Sequence, residues 1–238
     1  MDKALRRLRP LAMVAGLPPV HLRPITLSIE SFVGSAVIAR RRPPTPIVPE
    51  GAPCVFCGVH SGRWQTTCRL GGDAPVASPA CPLCVLSRRL DRPRIDEEAI
   101  LIWLPQMSQQ AVNTIIRQIH IELRALGELL GDDDALRVSS PGRHALCSAR
   151  AELAARADSA TSRLGTAAPS ELGVALCQLS PSSYARRGAL LGGLRLLPRG
   201  RLLEADRDIY PEIVDTWIAL AKAASEQHPP QASAEERR

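Results

Sequence analysis

Apolar residues recur at three- and four-residue steps through Val112, Ile116, Ile119, Leu123, Leu126 and Leu130, the period of a helix with one buried face. Ser108 stands ahead of this stripe as an N-cap, Met107 is placed to staple the first turn and Gly131 supplies a stop, so the pattern predicts a helix over 108–130. A second helix is predicted to open at Ser140 and Pro141 and to end at Gly165, burying Leu146, Ala149, Leu153, Ala157, Ala160 and Leu164. Its stripe is narrow and rich in alanine, which calls for close packing on a neighbour. Residues 169–179 and 181–187 read as two short helices, each begun by a proline at the first helical position. A last helix over 209–224 buries Ile213, Trp217, Leu220 and Ala224 in this reading.

Strand patterns are shorter. Thr26, Ser28 and Glu30 alternate with apolar neighbours over 25–33, and 36–39 is placed to pair with that segment after Gly34. Residues 100–104 form an apolar strand ended by Pro105, and 194–197 with 201–203 read as a hairpin framed by Gly192, Gly193, Pro198 and Gly200. Between the first two regions, Pro43, Pro44, Pro46, Pro49 and Pro53 leave too few amides for regular structure. The fold class is α+β: a basic N-terminal arm with short strands (1–45), a cysteine-bearing module (46–105), a mainly helical region with a short hairpin (106–225) and a polar tail expected to be disordered (226–238).

Composition narrows the class. With 238 residues, 45% of them apolar, the chain can bury a core without disulfides, and at 3% aromatics that core is built from Leu, Ile, Val and Ala. The net charge of +6 resembles a nucleic-acid signal, yet residues 1–45 carry eight basic and two acidic side chains while the rest of the chain carries 22 of each. The body is therefore neutral on average. Lys3, Arg6, Arg7 and Arg9 followed by the apolar stretch 11–17 look like the start of an export signal, but Pro18 and Pro19 close the stretch early, so none is expected. No apolar run approaches the ~20 residues of a membrane span, so any membrane attachment is expected to be indirect, through partners.

The strongest chemical signal is a pair of C-x-x-C motifs, Cys54 with Cys57 and Cys81 with Cys84, separated by 23 residues. Two such knuckles close a tetrahedron of soft thiolates around one Zn²⁺. Gly58 allows the turn after the first pair and Pro82 shapes the second. A redox motif needs one pair in a βαβ context and a disulfide needs an oxidising compartment, and neither is indicated; an iron–sulfur cluster remains the alternative. Four cysteines leave no open coordination position, so the site organises the chain rather than activating water, and the protein is read as a non-enzyme. Cys68 and His60 are the possible stand-in ligands, Cys147 and Cys177 read as buried small residues in helices, and His120 and His144 fall on helices without a catalytic context.

Two C-x-x-C pairs around an irregular loop, followed by a strand and a helix, resemble the frame of a ββα-metal nuclease of the HNH type. Between the knuckles only His60 is a histidine, so the general base of such an enzyme is missing and the frame is degenerate. The run Cys54-Val55-Phe56-Cys57-Gly58, then Cys81-Pro82-Leu83-Cys84, then Leu101-Ile102-Trp103-Leu104-Pro105-Gln106-Met107-Ser108-Gln109 resembles the IcmJ/DotN family of type IVB secretion systems. That resemblance implies an HNH-like zinc module in a cytoplasmic adaptor subunit at the inner face of the inner membrane, binding the C-terminal tail of the coupling ATPase. A groove beside the 108–130 helix is the expected peptide site. The alternative is a zinc-ribbon nucleic-acid binder using Arg63, Arg69, Arg88, Arg89, Arg92 and Arg94 on phosphates.

Overall fold

The long helix forms where its stripe and cap predict it. In the computed structural model, which describes residues 22–29, 51–70, 76–128, 130 and 141–227, Ser108 Oγ accepts from Ala111 N–H at 3.2 Å, and the helix buries the stripe Val112, Ile116, Ile119 and Leu123. Gly127 ends the helix at φ +81°, its N–H donating to Arg124 O while Glu128 N–H donates to Leu123 O, the paired bonds of a Schellman stop. The stop comes one turn before the expected Gly131, and Leu126 consequently lies 52% exposed instead of extending the stripe.

Along the chain the knuckle at Cys54–Cys57 leads, through a 3-10 turn at Gly62–Trp64, into a hairpin of β1 (Thr66–Leu70) and β2 (Val76–Ala80). Then come α1 (Pro82–Leu86), α2 (Ile95–Glu98), β3 (Ala99–Trp103), α3 (Gln109–Ala125), α4 (Pro141–Ala154), α5 (Ala157–Leu164), α6 (Pro169–Cys177), α7 (Pro181–Ala185), α8 (Arg187–Leu190), β4 (Leu194–Pro198), β5 (Leu203–Glu204), β6 (Arg207–Asp208) and α9 (Tyr210–Gln227). The hairpin β1–β2 replaces the irregular loop expected between the cysteine pairs.

β3 is the central strand. It pairs antiparallel with β4 in the register Leu101↔Leu196, and apart from Arg195 both strands are apolar, because helices cover them. The far edge of β3 is closed by two carbonyls: Trp103 N–H donates to Arg156 O and Leu101 N–H to Ala167 O. The predicted single helix over 140–165 is two: around Ala155 and Arg156 the bonds tighten to i→i+3, and the Arg156 carbonyl accepts both from Ala160 N–H and from the edge of β3. Leu164 is correspondingly exposed, while Ala157 and Ala160 are buried as expected.

The predicted hairpin of 194–197 with 201–203 does not form: β3 takes one edge of β4, and the Gln109 side chain takes the N–H and C=O of Leu196 on the other. Instead β5 and β6 make a two-residue turn at Ala205 and Asp206, both at positive φ, the I′ geometry that matches strand twist. The expected strand over 25–33 is not a strand in its described part. Ser28 is buried alongside Leu27 and Ile29, and the segment is held by Arg23 N–H to Val55 O and Leu90 N–H to Ser28 O. Its remainder, the 36–39 strand, most of the proline linker, the acidic turn at 132–134, the arm over 1–21 and residues 228–238 lie outside the described residues.

α9 crosses α3, burying Ile213, Val214 and Trp217 and fixing its angle with a two-pronged Arg124–Asp215 contact at 2.8 Å. Leu220, expected to be buried, is 38% exposed, and Ala224 is half-buried. Glu98 clasps β5 to this body: fully buried, it accepts from Arg92 Nε at 2.7 Å and from Leu203 N–H at 2.6 Å. Replacing Glu98 by alanine leaves the Arg92 charge unpaired in the interior, and urea unfolding should register a loss of about 3–5 kcal/mol. Glu97→Ala, which removes only an exposed partner of Arg94, should be far milder; equal effects would show that the buried pair is not the clasp.

Candidate metal centre

Two local structures aim the four cysteines at one point. In the first knuckle Cys54 N–H donates to Val59 O and Gly58 N–H to Cys54 O, and Gly58 takes φ +72°, which only glycine adopts without strain. In the second, Cys81 is the N-cap of α1 with Pro82 at the first helical position, so Cys84 falls within the first turn. The hairpin β1–β2 folds the chain back between them.

The four Sγ atoms lie within 4.8 Å of one another, and Cys57 Sγ is 3.6 Å from Cys81 Sγ. Thiolates placed tetrahedrally at ~2.3 Å from one ion are about 3.8 Å apart, so the spacing fits a single bound metal. Cys54, Cys81 and Cys84 are fully buried and Cys57 is half-buried. Packed this closely the thiols share their protons. Hydrogen bonds from the neighbouring sulfurs, with Arg117 beside them, hold the Cys57 thiol far below its ordinary value, and donating those bonds pushes Cys81 and Cys84 well above theirs.

A layer of polar side chains behind the cysteines comes from α3, at steps of four residues. Gln109 Nε2 donates to Leu196 O at 2.7 Å and its Oε1 accepts from Leu196 N–H at 2.8 Å, so its amide extends β4 like one more residue of strand. Its Nε2 also donates to Asn113 Oδ1 at 2.9 Å, and Asn113 Nδ2 reaches Leu83 O at 3.3 Å and Cys84 Sγ at 3.6 Å. Arg117 Nη1 donates to Cys57 Sγ at 3.6 Å. Burial opposes the Arg117 charge, but the sulfurs of Cys57, Cys81 and Cys84, with Cys57 foremost, outweigh it and raise its pKa. Sequence reading overlooked these three residues, although polar side chains recurring at i, i+4 and i+8 beside an apolar stripe mark a buried polar seam.

The remaining candidates do not join the cluster. Cys68 is buried but its Sγ sits 2.9 Å from Arg88 Nε, and His60 is half-buried in the loop after the first knuckle. Cys147 is half-buried and Cys177 is exposed at the end of α6, which corrects the expectation that both are core residues. His144 is exposed. His120 is fully buried, with Nδ1 2.7 Å from the Tyr210 hydroxyl, and burial, reinforced by the Arg150 charge, pushes its pKa down to about 3.

Compared with models of known protein families and with curated proteins, the chain matches none.

Two outcomes follow from this geometry. Cys54→Ser and Cys84→Ser should lose the metal and unfold or aggregate, whereas Cys177→Ser should be silent and Cys147→Ser modest; metal analysis and thermal melts of the four variants decide this. His120 is neutral when folded and titrates near 6.5 when unfolded, so its contribution to stability is complete above pH 6.5 and declines as pH falls toward 3. Between pH 7.5 and 5.5 it should remove about 1.4 kcal/mol, and His120→Gln should abolish that part of the slope in urea unfolding.

Proposed function

We propose that the chain is a non-catalytic adaptor stabilised by one structural zinc ion, held by Cys54, Cys57, Cys81 and Cys84, and that it serves a type IVB secretion coupling complex by binding the C-terminal tail of the coupling ATPase. The observation that carries the non-catalytic reading is the donor set: four cysteine sulfurs converge, and among the described residues no imidazole or carboxylate joins them to leave a position for water. When bound, zinc supplies a fixed tetrahedral crosslink between the two knuckles. The close sulfur spacing favours one ion over an iron–sulfur cluster, which needs room for several irons and bridging sulfides.

The adaptor reading draws support from the order of knuckle, β3, Leu104-Pro105 turn and Ser108-capped α3, the same features that carry the resemblance to IcmJ/DotN proteins. In that family's terms the module is an HNH-like frame without its general base. The expected groove beside α3 is filled, because β4 and α9 occupy its apolar face. The surface does carry a recess of about 120 Å³ between α1, the start of β1 and the N-terminal turns of α9, floored by Leu86, Ile209 and Ile213. It has the dimensions to take one aliphatic side chain.

The nucleic-acid alternative loses ground on the arginines it needs. Arg92 is paired with buried Glu98, Arg94 with Glu97 and Asp206, Arg63 with Glu212, and Arg88 lies over Phe56 with its Nε on Cys68. Binding of the coupling-ATPase tail peptide and of a random DNA duplex, measured at 0.1 and 0.5 M salt, separates the two. Peptide affinity should change by less than about tenfold, since no dense charge array drives it. A binder neutralising six phosphates would lose roughly several thousand-fold over that range, and tight DNA binding with such a slope and no peptide binding would overturn the adaptor.

A further inference from the structure

Arg117 is an arginine in an unusual place. It projects from the core side of α3, half-buried, with its guanidinium carbon 6.0 Å from the centre of the Trp217 ring and its Nη1 on Cys57 Sγ. Among the described residues no carboxylate pairs with it. Half-burying a cation without an anion is costly, so the fold must supply negative charge, and the cysteine sulfurs are the groups that can. Four thiolates around a divalent ion carry a net charge of −2, which one guanidinium halves. The contact falls on Cys57, the least buried of the four and so the sulfur that a competing ligand reaches first.

Resting on the reading of the four cysteines as a metal site, we infer that Arg117 is the outer-sphere counter-ion of the metal centre: it holds the Cys57 thiolate on the metal and ties the loaded knuckles to the α3–α9 body. Guanidinium suits the position because it donates to sulfur through one nitrogen while its carbon stays near the Trp217 ring. Asn113 is its neutral counterpart at Cys84, joining that sulfur through Gln109 to β4. Arg117 is thus a positioning residue whose partner is the metal-bound sulfur.

The test uses the full chain loaded with zinc, and separately with Co²⁺ as a spectroscopic substitute, in wild type, Arg117→Met, Arg117→Lys and the control Arg124→Gln on the same helix. Arg117→Met should still bind one ion but lose zinc to a competing chelator with about 10- to 100-fold lower affinity. Its thiolate-to-cobalt charge-transfer band should move to lower energy, because a sulfur that accepts no hydrogen bond gives up charge more easily, while the tetrahedral d–d bands stay in place. Arg117→Lys should recover part of the affinity, and Arg124→Gln should match wild type in both readouts. If Arg117→Met does not fold, Arg117→Lys carries the same test with a smaller shift. Wild-type affinity together with an unshifted band in either folded Arg117 variant overturns the inference. A wild-type chain that takes up neither zinc nor cobalt overturns the metal site itself.

Discussion

Four sulfur atoms drawn within 4.8 Å of one another in a buried setting are the constraint from which the rest of this structure follows. Neutral thiols gain little from such crowding, and thiolates repel, so the arrangement becomes favourable when a cation stands among them. The sulfurs are carried by the turn at Cys54–Cys57 and by the start of a five-residue helix, joined by a short hairpin, and none of these holds its shape alone. Once the knuckles close, Phe56, Ala80, Leu83 and Leu86 become a continuous apolar surface on which α3 and α9 pack. The cysteine module and the helical body therefore share one core.

Arginine supplies much of the polar wiring. Of the 30 basic residues 28 are arginine, a bias that sequence alone gives no reason to treat as chemistry. In the fold, arginine forks satisfy carbonyls and carboxylates that a point charge would serve less well: Arg92 on Glu98 and Leu203 O, Arg195 on Met107 O and Leu194 O, Arg187 on Leu27 O and Tyr184 O. In the cysteine region Arg92 is turned inward in this way, while the more exposed Arg63 and Arg94 are paired with Glu212 and with Glu97 and Asp206.

The legible parts of the sequence were those encoded locally. Ser108 and its stripe define α3, prolines at 169 and 181 begin α6 and α7, and the two C-x-x-C pairs name the sulfurs that meet. What failed was decided at a distance. Gly200 between two apolar runs is a sound hairpin signal, but β3 offered β4 a longer and more apolar partner, and that pairing competes with nothing visible nearby. The break between α4 and α5 likewise falls where the Arg156 carbonyl meets the edge of β3, and no glycine or proline in its own sequence marks it. Thr66, Cys68 and Pro79 hid a hairpin because it is held by the cysteine knuckles as much as by strand propensity. The outer layer of Gln109, Asn113 and Arg117 was overlooked because on a helical wheel it reads as the margin of an apolar face.

As proposed above, one ion would sit among these four sulfurs with no other donor reaching it. X-ray absorption at the zinc edge of the purified chain tests this most directly. A single shell of four sulfur atoms at ~2.3 Å with no nearby metal scatterer is expected. A nitrogen or oxygen shell, as His60 or water would give, or a short metal–metal distance, would contradict it.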